Sequence, residues 1–208
     1  MSRWEADAAG RLERAALELF DERGFDRTTV AQIAKRAGLN ERSFYRYFTD
    51  KREVLFDGGH ELERRLTQAI QEAPDDAGPL DALLAALGDA ARVFRPKELL
   101  RTRERVINAN LQLRERELVK MDALYTALVS ALRARGADET TARIATDIAI
   151  SIWRVAADRW LHGDDSTFAA EVLDATRHLR RIAADSCTDA EGVATDAPVQ
   201  RQRTRART

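Results

Sequence analysis

The chain has 208 residues, 44% hydrophobic and 33% charged, enough apolar material for one domain of ordinary size or a small domain fused to a larger one. Aromatics at 6%, 10 Gly and 4 Pro argue against a β-sandwich or a disordered chain, and a single cysteine, Cys187, excludes an internal disulfide or a thiolate metal cluster. The net charge of −1 is unevenly spread: residues 27–52 hold 7 basic and 2 acidic side chains, a local +5, residues 201–208 add 4 Arg, and 57–200 carry about −6. A basic patch on an acidic chain suggests a polyanion partner that touches one part only. No run approaches the length of a membrane span, and the opening MSRWEADAAG lacks the apolar core of a signal peptide. The expected compartment is the reducing cytoplasm.

Helical periodicity starts near the N-terminus, with Leu12, Ala16, Leu19 and Phe20 on one face and Gly24 as the stop. Thr29 followed by Gln32 is a capping-box pattern, opening a short helix through Val30, Ile33, Ala34 and Ala37 that ends at Gly38. Asn40 is a good N-cap for a second short helix, ERSFYRYF. Asp50 and Glu53 can cap a third, predicted to run from Lys51 to about Gln71. EAPDDAGP at 72–79 reads as a loop, and helices follow at about 80–93, 97–110, 112–135, 140–161 and 166–184. From Asp185 the periodicity vanishes, so 185–208 is expected to be a disordered tail. Neither a repeat nor a convincing strand is visible. The expected class is all-α.

Enzyme chemistry finds no support in the residues. His60, His162 and His178 belong to no metal-ligand spacing, and the chain lacks a G-x-S-x-G elbow. Gly58-Gly59 lies in a helical stretch and makes no phosphate-binding loop. Neither a cofactor nor a metal is expected.

The segment TTVAQIAKRAGLNERSFYRYFTDK (28–51) is different. Two short helices joined by Ala-Gly-Leu-Asn fit a helix-turn-helix whose tight turn requires a positive φ at Gly38. Ala34 permits a close crossing, and Ile33, Leu39, Phe44 and Phe48 are spaced to share one core. The second helix then presents Glu41, Arg42, Ser43, Tyr45, Arg46 and Tyr47, groups suited to base edges and phosphates. An ordinary helical hairpin, in which the tyrosines merely pack, fits the same spacing. So does a helical adaptor that binds no DNA.

The stretch AALELFDERGFDRTTVAQIAKRAGLNERSFYRYFTDKREVL resembles the DNA-binding domain of the TetR family of transcriptional regulators, over roughly residues 11–56. The resemblance rests on Ala16-x-x-Leu19-Phe20, Gly24-Phe25, Thr28-Thr29-Val30, Ile33-Ala34, Ala37-Gly38, Tyr45, Phe48 and Lys51. Arg42 departs from it, standing where many members carry Gly or Pro, and this bears on operator choice. Regulators of the mycofactocin-associated type are also similar in LRERELVKMDALYTALVSALRARG and WRVAADRW.

The resemblance implies a three-helix DNA-binding domain over 1–50 and a larger helical domain over 51–184 that binds an effector and dimerises. It implies a homodimer on a pseudo-palindromic double-stranded operator, usually a repressor, released when an effector moves the fourth helix. Activation by the same fold stays open. DNA contacts are then expected from Thr28, Thr29, Asn40, Glu41, Arg42, Ser43, Tyr45, Arg46, Tyr47 and Lys51. Phe94, Leu99, Val106, Asn110, Met121, Tyr125 and Trp153 are candidates to line a pocket for a small hydrophobic or aromatic effector. The stripe Ile144, Ile148, Ile152 and Val155 is expected to face a second copy.

Overall fold

The computed structural model describes residues 3–163 and 166–193, and every regular element among them is helical. Three helices come first: α1 (Arg3–Arg23), α2 (Val30–Arg36) and α3 (Glu41–Tyr47). They are followed by α4 (Gly58–Glu72), α5 (Pro79–Ala90), α6 (Lys97–Asn108), α7 (Leu111–Ala134), α8 (Glu139–His162) and α9 (Phe168–Val193). None of the described helices is long and apolar enough to cross a membrane.

Local chemistry accounts for most boundaries. Asn110 caps α7 by accepting from Leu113 N at 3.2 Å, and Asp138 caps α8 by accepting from Thr141 N at 3.0 Å. Pro79 occupies the first turn of α5, where a missing N–H costs nothing. Two expectations fail. The helix predicted from Lys51 begins only at Gly58, after a short 3-10 turn over Glu53–Leu55. Val54, Leu55 and Phe56 are held in the N-terminal core, which keeps the segment before Gly58 out of the helix. At the other end, α9 runs through 185–193, residues assigned above to the tail; 194–208 lie outside the described residues.

Two apolar cores divide the molecule. The larger joins α4, α5, α7, α8 and α9 around Leu66, Leu83, Leu128, Leu132 and Phe168. There α8 turns Ala142, Ala145, Ala149 and Ala156 inward, and α5 contributes Ala82, Ala86 and Ala90. Small side chains on both helices permit close approach. The smaller core is built on Leu12, Leu19, Phe20, Ile33, Phe44 and Phe48, and it takes in Val106 and Ile107 of α6 and Leu113 of α7. Ion pairs reinforce this junction: Arg95–Glu13 at 2.8 Å, Arg105–Asp21 at 3.1 Å, and Arg116 and Lys120 on Glu53 at 2.7 and 3.2 Å. Arg103 lies against the ring of Phe56, donates to the Leu55 carbonyl at 2.6 Å and pairs with Glu117 at 2.7 Å.

Candidate nucleic-acid interface

The turn between α2 and α3 is built as its residues demand. Gly38 sits at φ +68, a conformation that costs other L-residues roughly 1–2 kcal/mol. Thr29 accepts from Gln32 N at 3.3 Å while its own N–H donates to Gln32 Oε1 at 3.0 Å, completing the capping box. Asn40 Oδ1 accepts from Ser43 N at 2.8 Å and from Ser43 Oγ at 3.0 Å, so both side chains serve the start of α3.

Helix α3 has two distinct sides. Phe44 and Phe48 are buried, their rings 5.4 Å apart, and fix the helix on the core. Glu41, Arg42, Tyr45 and Arg46 are exposed. Tyr45 is 57% exposed and stands edge-on to Phe44, which holds its direction without hiding its hydroxyl. Tyr47 is half-buried: Arg46 donates to its hydroxyl at 2.7 Å and lies over its ring. The structure thus gathers Arg42, Tyr45, Arg46 and Tyr47 on one helix, with Thr29 at the start of its neighbour.

Two expected DNA contacts have hydrogen-bond partners within the chain. Thr28 is 1% exposed, and its hydroxyl is committed to the carbonyls of Leu19 and Gly24 at 3.2 and 3.0 Å. It closes the loop after α1 and presents no side chain to a partner. Lys51 is half-buried; its Nζ donates to the carbonyls of Phe25 and Thr28 at 2.7 and 3.0 Å and lies 4.2 Å from the centre of the Phe25 ring. Burial pushes the pKa of its ammonium down, and Asp26 works against that shift.

The local positive charge is also smaller at the surface than its count. Arg36 pairs with Glu22 and Glu18 of α1 at 3.0 and 3.1 Å, and Arg52 with Asp50 at 2.7 Å. Arg27, Lys35, Arg42 and Arg46 are the exposed cations left. Residues missed by sequence reasoning lie at the junction: Arg103, Arg116 and Lys120 bind the segment just after Lys51. Spacing alone carries no signal for pairs so far apart in the chain.

The candidate effector residues do not form one site. Met121 and Trp153, with Leu66, Leu87, Leu124 and Leu128, line a small apolar cavity of about 10 Å³. Tyr125 packs on the same core, and Phe94 stacks edge-on against Trp153 and Phe168. Leu99 and Val106 belong instead to the N-terminal core, because α6 packs on α1. Asn110 is spent as the α7 cap and borders, with Val106, Phe25 and Arg27, an open groove of about 280 Å³ between the two parts of the molecule. The dimer stripe is likewise split. Ile152 is 4% exposed within the chain's own core and is unavailable to a partner, whereas Ile144 and Val155 are 55% and 46% exposed. Ile148 is half-buried between them.

Comparison with known proteins adds to this geometry. Residues 13–57 match the family described as "Bacterial regulatory proteins, tetR family". An uncharacterised HTH-type transcriptional regulator of Mycobacterium tuberculosis (strain CDC 1551 / Oshkosh) is 32% identical over 100 residues, 48% of this chain and 51% of that protein. The chain thus spans about half the length of this relative. In overall fold it is similar to NalD, the secondary repressor of the MexAB-OprM multidrug efflux pump in Pseudomonas aeruginosa (TM-score 0.58, 20% identity, 85% of this chain and 96% of that one). It is also similar to the transcriptional regulator FadR from Bacillus subtilis in complex with stearoyl-CoA (TM-score 0.56, 19% identity, 80% and 94% covered). At such identities the likeness extends to the fold.

Proposed function

We propose that this chain, whose residues 13–57 match the TetR family of bacterial regulatory proteins, is a DNA-binding transcriptional repressor that acts as a homodimer and is released by a small hydrophobic or aromatic effector. The observation that carries the reading is the two-sided α3: its phenylalanines are buried, and Arg42, Tyr45 and Arg46 stand out together. A helix held this way lays its polar side in the major groove, with Arg42 near its leading end placed to fork onto a guanine. Thr29 and Tyr47 supply hydroxyls for the flanking phosphates.

Ile144, Ile148 and Val155 of α8, together with the exposed Leu173 of α9, form the dimer face in this reading. Two copies related by a two-fold axis present two α3 helices to two half-sites. The effector enters between α4, α5, α7 and α8, at Met121, Trp153 and Tyr125. The present cavity of about 10 Å³ holds no such molecule, so binding selects an opened conformer. Lys120 and Glu117 stand beside Met121 in the chain and hold Glu53 and Arg103 at the junction, which gives the displacement a route to the DNA-binding helices. The acyl thioester bound by FadR supports the choice of a hydrophobic effector.

Selection of duplexes from a random-sequence library by the purified full-length protein tests the reading. The expected product is a pseudo-palindrome, bound by two chains. A protein that enriches no sequence above input would refute it. Titration of long-chain acyl thioesters and planar aromatics against that duplex, with Trp153 fluorescence as reporter, tests the effector class.

A further inference from the structure

We propose that Lys51 is a positioning residue for the DNA interface: its ammonium staples the loop 25–28 to the exit of α3 and so holds the start of α2 in register with the reading helix. The inference rests on the DNA-binding reading above. It departs from the expectation that Lys51 is itself a phosphate contact.

The loop leaves α1 through Gly24 at φ +85 and must deliver Thr29 to the start of α2. It is not supported by regular structure. Besides Lys51, it is held by Thr28 N to the Phe25 carbonyl at 3.2 Å, the Thr28 hydroxyl to Leu19 and Gly24, Arg27 Nε to the Arg23 carbonyl at 2.7 Å, and Asn110 Nδ2 to Asp26 Oδ1 at 3.5 Å. Lys51 arrives from beyond α3, 26 residues away from Phe25, and donates to the Phe25 and Thr28 carbonyls at 2.7 and 3.0 Å. The Asp26 carbonyl lies at the limit of hydrogen bonding, 3.5 Å. Beneath the ammonium is the face of Phe25, a ring 7% exposed and packed on Phe20 at 5.1 Å. Carbonyls converging on one nitrogen above an aromatic face suit a compact tetrahedral donor. A guanidinium is bulkier and spreads its donors over a planar fork, so an arginine here has to displace the loop to reach the same carbonyls. Two of the three donors of the Lys51 ammonium are committed to these carbonyls. The bond network links the two ends of the unit that must fit DNA: the loop before α2 and the segment after α3.

Arginine separates charge from shape. Lys51→Arg keeps the positive charge that a phosphate contact needs, but loses the staple. Lys51→Met loses both. In the full-length protein, on the duplex enriched by the wild type, Lys51→Arg should weaken binding by about tenfold, the scale of one charge-assisted hydrogen bond. Its slope of log affinity against log salt should stay at the wild-type value, because the charge is kept. Hydrogen exchange should quicken at the amides of 25–29 and stay unchanged in α8 and α9. Wild-type affinity in Lys51→Arg, with affinity and about one unit of slope lost in Lys51→Met, would establish a phosphate contact and overturn the proposal. Unchanged loop exchange in both variants would overturn it as well. A wild type that enriches no duplex defeats the regulator reading and the DNA role proposed for Lys51, whereas the exchange measurement decides by itself whether the staple exists.

Discussion

Two isoleucines on one helix should fail in opposite ways. Ile144 of α8 is 55% exposed and Ile152 is 4% exposed. Complete burial of an isoleucine side chain is worth about 1.5–3 kcal/mol, so a dimer face over Ile144 has roughly half of that left to recover. This is about 1 kcal/mol per copy, and two-fold symmetry counts it twice. Ile144→Ala should therefore weaken the dimer by about 2 kcal/mol, roughly thirtyfold in Kd. Ile144→Glu should yield folded monomers, because it sets two carboxylates in the desolvated contact while each protomer's core is untouched. Ile152→Glu puts an unpaired charge among Ala149, Ala156 and their neighbours in the larger core. Its cost, roughly 4 kcal/mol or more, is a large part of a typical domain's stability. Sedimentation velocity over a concentration series, with thermal melts by circular dichroism, reads both effects. A wild-type dimer constant for Ile144→Glu would refute the assigned face. A wild-type melt for Ile152→Glu would refute its burial.

At the DNA, Arg42→Ala should cost about 1–3 kcal/mol on the enriched duplex and little on a scrambled one; equal losses on both in a fluorescence titration would make Arg42 a phosphate contact. Thr28→Val removes a buried hydroxyl bonded to Leu19 and Gly24, and chemical denaturation should show about 1 kcal/mol of lost stability with an unchanged salt slope for DNA. Asp50 is held below the ordinary aspartate value of 3.8, first by the hydrogen bond from the Arg52 side chain and then by backbone N–H groups of Arg52 and Glu53. A depressed native pKa means that stability is present above the unfolded value and lost as pH falls through the native one. Denaturation midpoints of wild type and Asp50→Asn should accordingly differ at neutral pH and converge in acid; a gap that widens in acid would contradict the pairing.

The parts of this molecule that were readable in the sequence are those decided within a few residues. The Thr29–Gln32 box, the Asn40 cap, the stop at Gly24 and the positive φ of Gly38 are local facts, and their residue types announce them. The shared burial of Ile33, Phe44 and Phe48 follows from helical spacing. What spacing does not contain is the identity of a distant partner. Thr28 and Lys51 have the chemistry of phosphate ligands, and both are bound to main-chain carbonyls; those of Lys51 are 23 and 26 residues away. Arg36 counts toward a basic patch until Glu18 and Glu22 neutralise it. On α8, four apolar residues at regular intervals look like one stripe, yet the inward direction is set by the alanines that let α5 approach, and Ile152 falls on their side. Leu99 and Val106 were drawn to the wrong core because nothing local reveals that α6 rests on α1.

That last packing bears on how freely such a head can be exchanged. Val106, Ile107 and Leu113 fill the same core as Leu12, Phe20 and Phe44. Cut after Phe56, the first three helices would carry an open apolar wound where those three side chains had been, and the remainder would carry its counterpart. A graft of this head onto another helical body should therefore succeed only when residues 97–117 travel with it, bringing along Arg103, Arg105 and Arg116 for Leu55, Asp21 and Glu53. Modular in sequence, the head is a borrowed surface in three dimensions, and its swaps are best planned by contact rather than by chain order.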